Sequence, residues 1–337
     1  MIDLSTSYLG LTLKNPLVPS AGPLTRSLDS VKRLEDAGAS AVVMYSLFEE
    51  ELLKEERMLD RFITNPSLGH GEADSFFTPH PNYKSGLDAY LEQLSKIKAS
   101  LSIPVIASLN GVTASGWVAH GKELQAAGAD ALELNVYYVA ADFNQSAADV
   151  EARYVNLLKS LKQHVSIPVT MKLSSQFTSL PHFVKQLEAA GADGVSVFNR
   201  FYQPDIDLET LGLTDKIGVT SSKELLIRMR WIAVLFGKVK LSLAATGGVH
   251  TRDDVLKLLL AGADVTHLCS GLLLQGPELI GQLLDGVSAW MERREYESVA
   301  QLKGSLSQQH SSDPVAFARE SYIRVLDSYT PVTKAWQ

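Results

Sequence analysis

A single cysteine, Cys269, is present in the 337 residues, so no disulfide can form within the chain. A cysteine-rich metal or iron–sulfur site cannot be built from it either. So low a thiol count fits a reducing compartment. Positive charge is also short. Lys and Arg number 31 against 38 Asp and Glu, a formal charge of −7. That balance argues against nucleic acid or an anionic membrane as partner, because both attract a basic field. Apolar runs are strand-length and interrupted, so none crosses a bilayer as a helix. The opening MIDLSTSYLGLTLKNP lacks the basic-then-apolar order of a secretory signal. A cytoplasmic protein without a membrane segment is therefore expected. The eight histidines show no metal-ligand spacing, so no metal is expected. Neither a Walker sequence nor a Ser-His-Asp arrangement occurs.

What the chain does have is repetition. Ser102-Ile103-Pro104-Val105 returns as Ser166-Ile167-Pro168-Val169, and Ala126-Ala127-Gly128-Ala129-Asp130 returns as Ala189-Ala190-Gly191-Ala192-Asp193. Related pieces stand at Ala37-Gly38-Ala39 and Ala261-Gly262-Ala263-Asp264. Each reads as an amphipathic helix stopped by a glycine that accepts a left-handed conformation. A β-branched and apolar run without strict alternation follows, as in a parallel strand buried on both faces. Such runs fall at 16–21, 41–47, 104–109, 131–137, 169–173, 194–198, 241–245 and 265–269. Helical patterns fall at 28–37, 87–100, 116–127, 150–164, 180–190, 223–236, 252–260 and 277–293. Eight strands alternating with eight helices predict an α/β fold, a (β/α)₈ TIM barrel, over residues 1–295. The alternative, a doubly wound open sheet, wants a glycine-rich turn after its first strand, and Ser20-Ala21-Gly22-Pro23 is not G-x-G-x-x-G. Insertions are expected at about 48–86, after strand 2, and at 200–222, after strand 6. A C-terminal extension over 296–337, with a helix at 314–326, is expected to pack on the barrel or on a second subunit.

In such a barrel the C-terminal strand ends converge on one site. Here they carry Ser20 and Ala21, Tyr45 and Ser46, Asn110, Asn135 with Tyr137 and Tyr138, Lys172, Asn199 with Arg200, Thr246-Gly247-Gly248, and Cys269-Ser270-Gly271. Any one of these alone reads as a residue satisfying loop backbone; so many together read as a site. Glycines after strands 7 and 8 let backbone N–H groups approach an anion, which points to a phosphate-bearing cofactor, with a pair of tight turns as the bland reading. Lys172 closes an otherwise apolar strand, where a charge is costly unless an anion or electron-rich ring meets it. It reads as a cation facing such a ring, as a Schiff-base amine, or as a side chain reaching solvent. A tyrosine at 137 or 138 becomes a general acid or base if a cation lowers its pKa, and Lys172 on the next strand is placed for that; rim packing is the other reading. His70 and His80 lie in the first insertion.

These segments resemble the dihydroorotate dehydrogenase family over about residues 3–295. The likeness is carried by Asn15-Pro16, Ser20-Ala21-Gly22, Glu133-Leu134-Asn135, Val169-Thr170-Met171-Lys172-Leu173, Phe198-Asn199, Thr246-Gly247-Gly248 and Cys269-Ser270. The resemblance implies an FMN-dependent oxidoreductase acting on a CH–CH bond, in pyrimidine metabolism, with an electron acceptor left unspecified and a homodimer as its assembly. It implies flavin contacts from Ser20, Ala21, Tyr45, Ser46, Asn110, Asn135, Lys172 and Asn199. Gly218, Gly247, Gly248, Cys269 and Ser270 would serve the ribityl-phosphate end, and Asn82, Asn135, Asn199 and Arg200 the substrate.

Departures cluster at the reacting centre. The family's lysine near the end of strand 2 is replaced by Met44-Tyr45-Ser46. The family's Asn-x-Ser-Cys/Ser-Pro-Asn is here Asn135-Val136-Tyr137-Tyr138-Val139-Ala140, which puts Tyr138 at the base position and removes the second asparagine. Arg200 stands where a small hydroxyl residue is usual. The expectation is a flavin enzyme for a small polar or anionic, pyrimidine-like substrate, with Tyr138 and Lys172 as catalytic groups. Its rivals are a flavin-free Schiff-base lyase or aldolase using Lys172, and a catalytically degenerate FMN-binding barrel.

Overall fold

The computed structural model of the chain describes residues 2–64, 85–111, 113–201, 203–214, 218–317 and 328, the side chains at 59–64 and 114 apart. Eight parallel strands form one sheet: β1 (Leu17–Pro19), β2 (Val42–Phe48), β3 (Val105–Asn110), β4 (Ala131–Asn135), β5 (Val169–Leu173), β6 (Gly194–Val197), β7 (Ser242–Thr246) and β8 (Val265–Leu268). Their order around the sheet is β1-β8-β7-β6-β5-β4-β3-β2. Between β1 and β2 the ladder gives way to Ser40, whose N–H and hydroxyl both donate to the Leu17 carbonyl at 3.1 and 2.9 Å. The outer layer holds α1 (Leu28–Asp36), α2 (Glu49–Thr64), α3 (Gly86–Ser100), α4 (Ala114–Ala126), α5 (Ala147–Lys162), α6 (Leu180–Ala189), α7 (Leu225–Leu235), α8 (Arg252–Ala261), α9 (Ser270–Gln275) and α10 (Leu279–Arg293). The fold is a (β/α)₈ barrel.

The repeated Ala-Gly-Ala-Asp has a structural purpose. Each glycine adopts positive φ after a helix, 100° at Gly128, 97° at Gly191 and 118° at Gly262, a conformation that glycine reaches without strain. Two residues on, an aspartate reaches back to the strand before it. Asp130 accepts from Val105 N–H at 2.7 Å, Asp193 from Val169 N–H at 2.8 Å and Asp264 from Leu243 N–H at 2.7 Å. A lysine neutralises each carboxylate: Lys98, Lys162 and Lys303. Strands 3, 5 and 7 are thus pinned to 4, 6 and 8 at the base of the barrel. The fourth copy ends in Ser40 instead, at the seam.

A hairpin of Thr6–Tyr8 and Leu11–Leu13 plugs the base. Its Tyr8 and Leu9 pack with Val18, Ala41, Val43, Ile106, Ala131, Ala244 and Val265. One layer higher the interior turns polar, with Ser108, Glu133, Thr170, Ser196 and His267 all buried. Residues 298–308 return to the same barrel: Gly304 and Leu306 N–H donate to the Leu259 and Leu260 carbonyls of α8, and Gln308 N–H to Ala233 of α7. Of the helix expected at 314–326, a 3-10 turn at Pro314–Phe317 is described. The rest lies outside the described residues, as do 65–84, which hold Asn82, His70 and His80. The second insertion contains an antiparallel pair, Asp205–Asp207 with Gly212–Thr214. Strand 4 was expected to reach 137 but ends at Asn135, and its last ladder partner is Lys172 on β5.

His267 is fully enclosed, and burial pushes its pKa down to about 4 against the pull of Glu133. Unfolded, the same imidazole binds a proton below about 6.5. Between those two values the unfolded chain holds the extra proton, so stability falls as pH drops through that window. The loss attributable to this group is about 3 kcal/mol. Urea unfolding of the wild type and of His267→Gln at pH 7 and pH 4 should show the variant losing correspondingly less; parallel losses would mean His267 is not held neutral.

Candidate functional site

The top of the barrel gathers the polar strand ends. On β5, residues 170 and 172 face inward beside residues 133 and 135 of β4, because alternate strand residues share a face and the register pairs Glu133 with Thr170 and Asn135 with Lys172. Lys172 Nζ donates to Glu133 Oε1 at 3.1 Å, and both side chains are buried. The anion that a lysine at this position requires is thus supplied by the chain itself. Glu133 Oε2 makes no hydrogen bond and faces His267 Nδ1 at 3.7 Å. With the imidazole neutral at ordinary pH, that contact is not an ion pair. Just above, Asn199 Nδ2 donates to Asn135 Oδ1 at 2.7 Å, tying the end of β6 to β4.

The ends of β1 and β8 approach closely. Ser20 N–H donates to the Leu268 carbonyl at 2.8 Å, and a Cβ on Gly22 would lie 2.9 Å from Cys269 Sγ. Burial raises the Cys269 thiol pKa, with the charge of Lys172 opposing it. Ala21 packs against the interior cluster. On β2 the register shifts between Val43 and Ser46. Ser46 Oγ thereby meets Ser108 Oγ at 2.8 Å, and Asn110 ends β3 nearly buried. Tyr45 is turned away: its ring packs on Tyr90 with centroids 4.8 Å apart, and Arg26 lies 5.5 Å from its centre.

The turns after β7 and β8 stand side by side. Gly247 and Gly248 have φ of 90° and 82°, and a Cβ on Gly271 would lie 2.6 Å from the Val249 carbonyl. Thr220 bridges them. Its N–H donates to Ser270 Oγ at 3.0 Å, while its hydroxyl accepts from Gly248 N–H at 3.2 Å and lies 3.3 Å from His250 Nε2. Sequence reasoning missed this threonine, and it missed Arg228, a buried guanidinium that donates to the Thr246 and Glu224 carbonyls. The one hint was a charge inside the apolar helix Leu225–Leu235. Gly218 has open space where a side chain would be, and its carbonyl accepts from Arg200. Arg200 also meets Glu224 at 3.7 Å, beside a cavity of about 310 Å³ that Ser174, Gln176, Asn199 and Arg228 help to line.

Tyr137 and Tyr138 leave the barrel rather than cap it. Tyr137 stacks on Phe201 with centroids 4.3 Å apart. The Tyr138 hydroxyl donates to Gln145 Oε1 at 2.5 Å, and the cation over its ring is Arg153, at 4.0 Å. Lys172, expected to be that cation, is engaged with Glu133 instead. The cause is the end of the strand at Asn135, which frees 136–138 from the strand's alternation. Both tyrosines line a cavity of about 530 Å³ with Trp117 and Leu157. Among the described residues, no cluster of His, Cys, Asp or Glu is placed to hold a metal, and no helix is long and apolar enough to cross a membrane.

This geometry has relatives. Residues 81–291 match the family model of dihydroorotate dehydrogenase. The chain is 27% identical over 305 residues to a protein of Pyrococcus abyssi named dihydroorotate dehydrogenase B (NAD(+)), catalytic subunit, covering 89% of this chain and 98% of that one. Its likeness to the protein of the same name in Enterococcus faecalis is 28% over 306 residues, 89% and 95% of the two chains. To that of Methanosarcina acetivorans it is 27% over 303 residues, 88% and 93%. With the family model spanning well over half its length, the chain belongs to the dihydroorotate dehydrogenase family.

Proposed function

We propose that the chain is an FMN-dependent oxidoreductase that moves a hydride between a carbon of a small polar or anionic, pyrimidine-like substrate and flavin N5. The observation that carries this reading is the convergence, at one barrel end, of a buried lysine, a coupled Asn135–Asn199 pair and two adjacent glycine turns. The donor set fits the group. The Gly247 and Gly248 turn with Ser270 would hold a phosphate, and Thr220 would yield the Gly248 N–H it now accepts. Lys172 would face the ring, and the Asn135–Asn199 pair would present amide groups to its edge and to the substrate. Bound FMN would supply the two-electron chemistry, while the chain fixes distance and charge. Arg200 would meet a substrate carboxylate on release from Glu224.

Neighbouring chemistry narrows the alternatives. A Schiff-base amine must be free to reach a carbonyl, whereas Lys172 Nζ is engaged by a buried carboxylate 3.1 Å away. The relatives' printed name, catalytic subunit, suggests a second protein as electron partner, and one cysteine leaves this chain without ligands for an iron–sulfur relay of its own. Dihydroorotate itself is a poorer fit, since the base position is held by a tyrosine whose hydroxyl is committed to Gln145.

Purified protein should be yellow, and denaturation should release a compound with the mass of FMN; protein that is colourless and takes up no added FMN would end this reading. In Gly248→Ala, a Cβ would sit 2.7 Å from Leu225 N at a φ of 82°. The turn must then move, so FMN binding should weaken about tenfold or more, whereas riboflavin, which lacks the phosphate, should lose much less. Equal losses would place the phosphate elsewhere. Mixed anaerobically with dihydroorotate, the bound flavin should bleach at least about 100-fold more slowly than with the true substrate, because a site built for other hydrogen bonds rejects it; rapid bleaching would make dihydroorotate the substrate.

A further inference from the structure

Glu133 is the buried group for which neither stability nor the reading above yet accounts. It has no solvent exposure, one of its oxygens is unpaired, and around it Tyr8 Oη, Thr170 Oγ1 and His267 Nε2 are unpaired as well. A buried ion pair with an unsatisfied oxygen is not a stabilising device, since well-packed apolar residues of similar volume do as well or better. Its position is informative. Glu133 lies one layer below the mouth, and among the described residues its one hydrogen bond takes the ammonium of Lys172. The imidazole of His267, 3.7 Å from Glu133, is uncharged at neutral pH because burial drives its proton off. Among the described residues, β2 carries Tyr45 and Ser46 and no cation, and Arg200 is bound to Glu224.

We infer that Glu133 is a positioning residue that sets the charge offered to the flavin, by holding Lys172 Nζ in place and offsetting part of its field. This rests on the FMN reading. A lysine alone would favour electron uptake strongly, because negative charge on the reduced ring would meet an uncompensated cation in a low-dielectric site. Paired with Glu133, Lys172 presents a smaller field, so the bound flavin would give up its electrons again more readily. The carboxylate acts through the lysine and touches neither cofactor nor substrate.

The test has one part with cofactor and one without. With FMN bound, the equilibrium of two-electron reduction is read against a reference dye. Glu133→Gln should shift it toward reduced flavin by about tenfold. Lys172→Met should shift it the other way, and Glu133→Asp should return it toward wild type. A reduction equilibrium within twofold of wild type in Glu133→Gln, with the flavin spectrum intact, overturns the inference while leaving the FMN reading standing. Without FMN, melting temperatures of Glu133→Gln, Lys172→Met and the double variant form a cycle. The double variant should lose less than the sum of the two losses; strict additivity would show that the pair does not exist and overturns the proposal. Coupling in that cycle together with no FMN uptake by wild type would sink the FMN reading, and the inference with it, leaving a purely structural pair.

Discussion

A ring of parallel strands holds its shape only if every strand keeps its height relative to the next, because one step of slippage turns each inward side chain to the outside. In this chain that constraint is met by three carboxylates. Asp130, Asp193 and Asp264 each stand just ahead of one strand and accept an N–H from the start of the strand before it. The bonds are charge-assisted, and each carboxylate is in turn neutralised by a lysine from the helical layer. Strands 3 to 8 are thereby fixed in pairs, with the pairs joined by ordinary ladders. What the site needs follows from this register: Asn135 beside Lys172, and Glu133 one step below.

From base to mouth the interior passes from hydrocarbon to charge. The Tyr8–Leu9 plug and the small apolar side chains around it exclude water from one end. The layer above contains a carboxylate, an imidazole and hydroxyl groups, so the dielectric is low where the charges sit and their mutual influence is large. His267 responds by losing its proton. Glu133 instead meets the ammonium of Lys172, and the two side chains hold each other in place. A neutral imidazole and a paired carboxylate leave this layer with fixed geometry and little net charge.

Much of this was legible in the sequence, for physical reasons. Parallel strands buried on both faces give unbroken apolar runs, and helix stops need glycine, so the eight strands and the eight helices between them are legible, whereas the short helix Ser270–Gln275 is not, because Cys269-Ser270-Gly271 reads as a turn. Strand 4 was drawn two residues too long because Val136 and Tyr137 continue the apolar run while the ladder stops at Asn135. Lys172 stood out as a charge among apolar neighbours. Its partner did not, because Glu133 was noticed only as part of a family motif, although a carboxylate two residues before Asn135 on the same strand must share that asparagine's face. Thr220 and Arg228 were illegible: their partners lie in distant turns, and such contacts leave no periodic trace.

The departures from the family pattern are consistent with one another once the geometry is known. Where the resemblance implies a lysine near the end of strand 2, this chain has Met44-Tyr45-Ser46, and Ser46 bonds to Ser108. Arginine appears across the mouth at position 200, tethered to Gly218 and Glu224. A substrate anion would therefore be drawn toward β6 and α7 rather than toward β2, and a pyrimidine-like ring bound that way would present a different edge to the flavin. Tyr138 fits the same shift. With its hydroxyl on Gln145 and Arg153 over its ring, it shapes an outer wall beyond β4 and leaves the space above Asn135 without the family's base. On the proposed reading, a barrel that keeps the two glycine turns and the strand-5 lysine, but carries its rim arginine opposite β2, would retain the requirements of the cofactor and change those of the substrate.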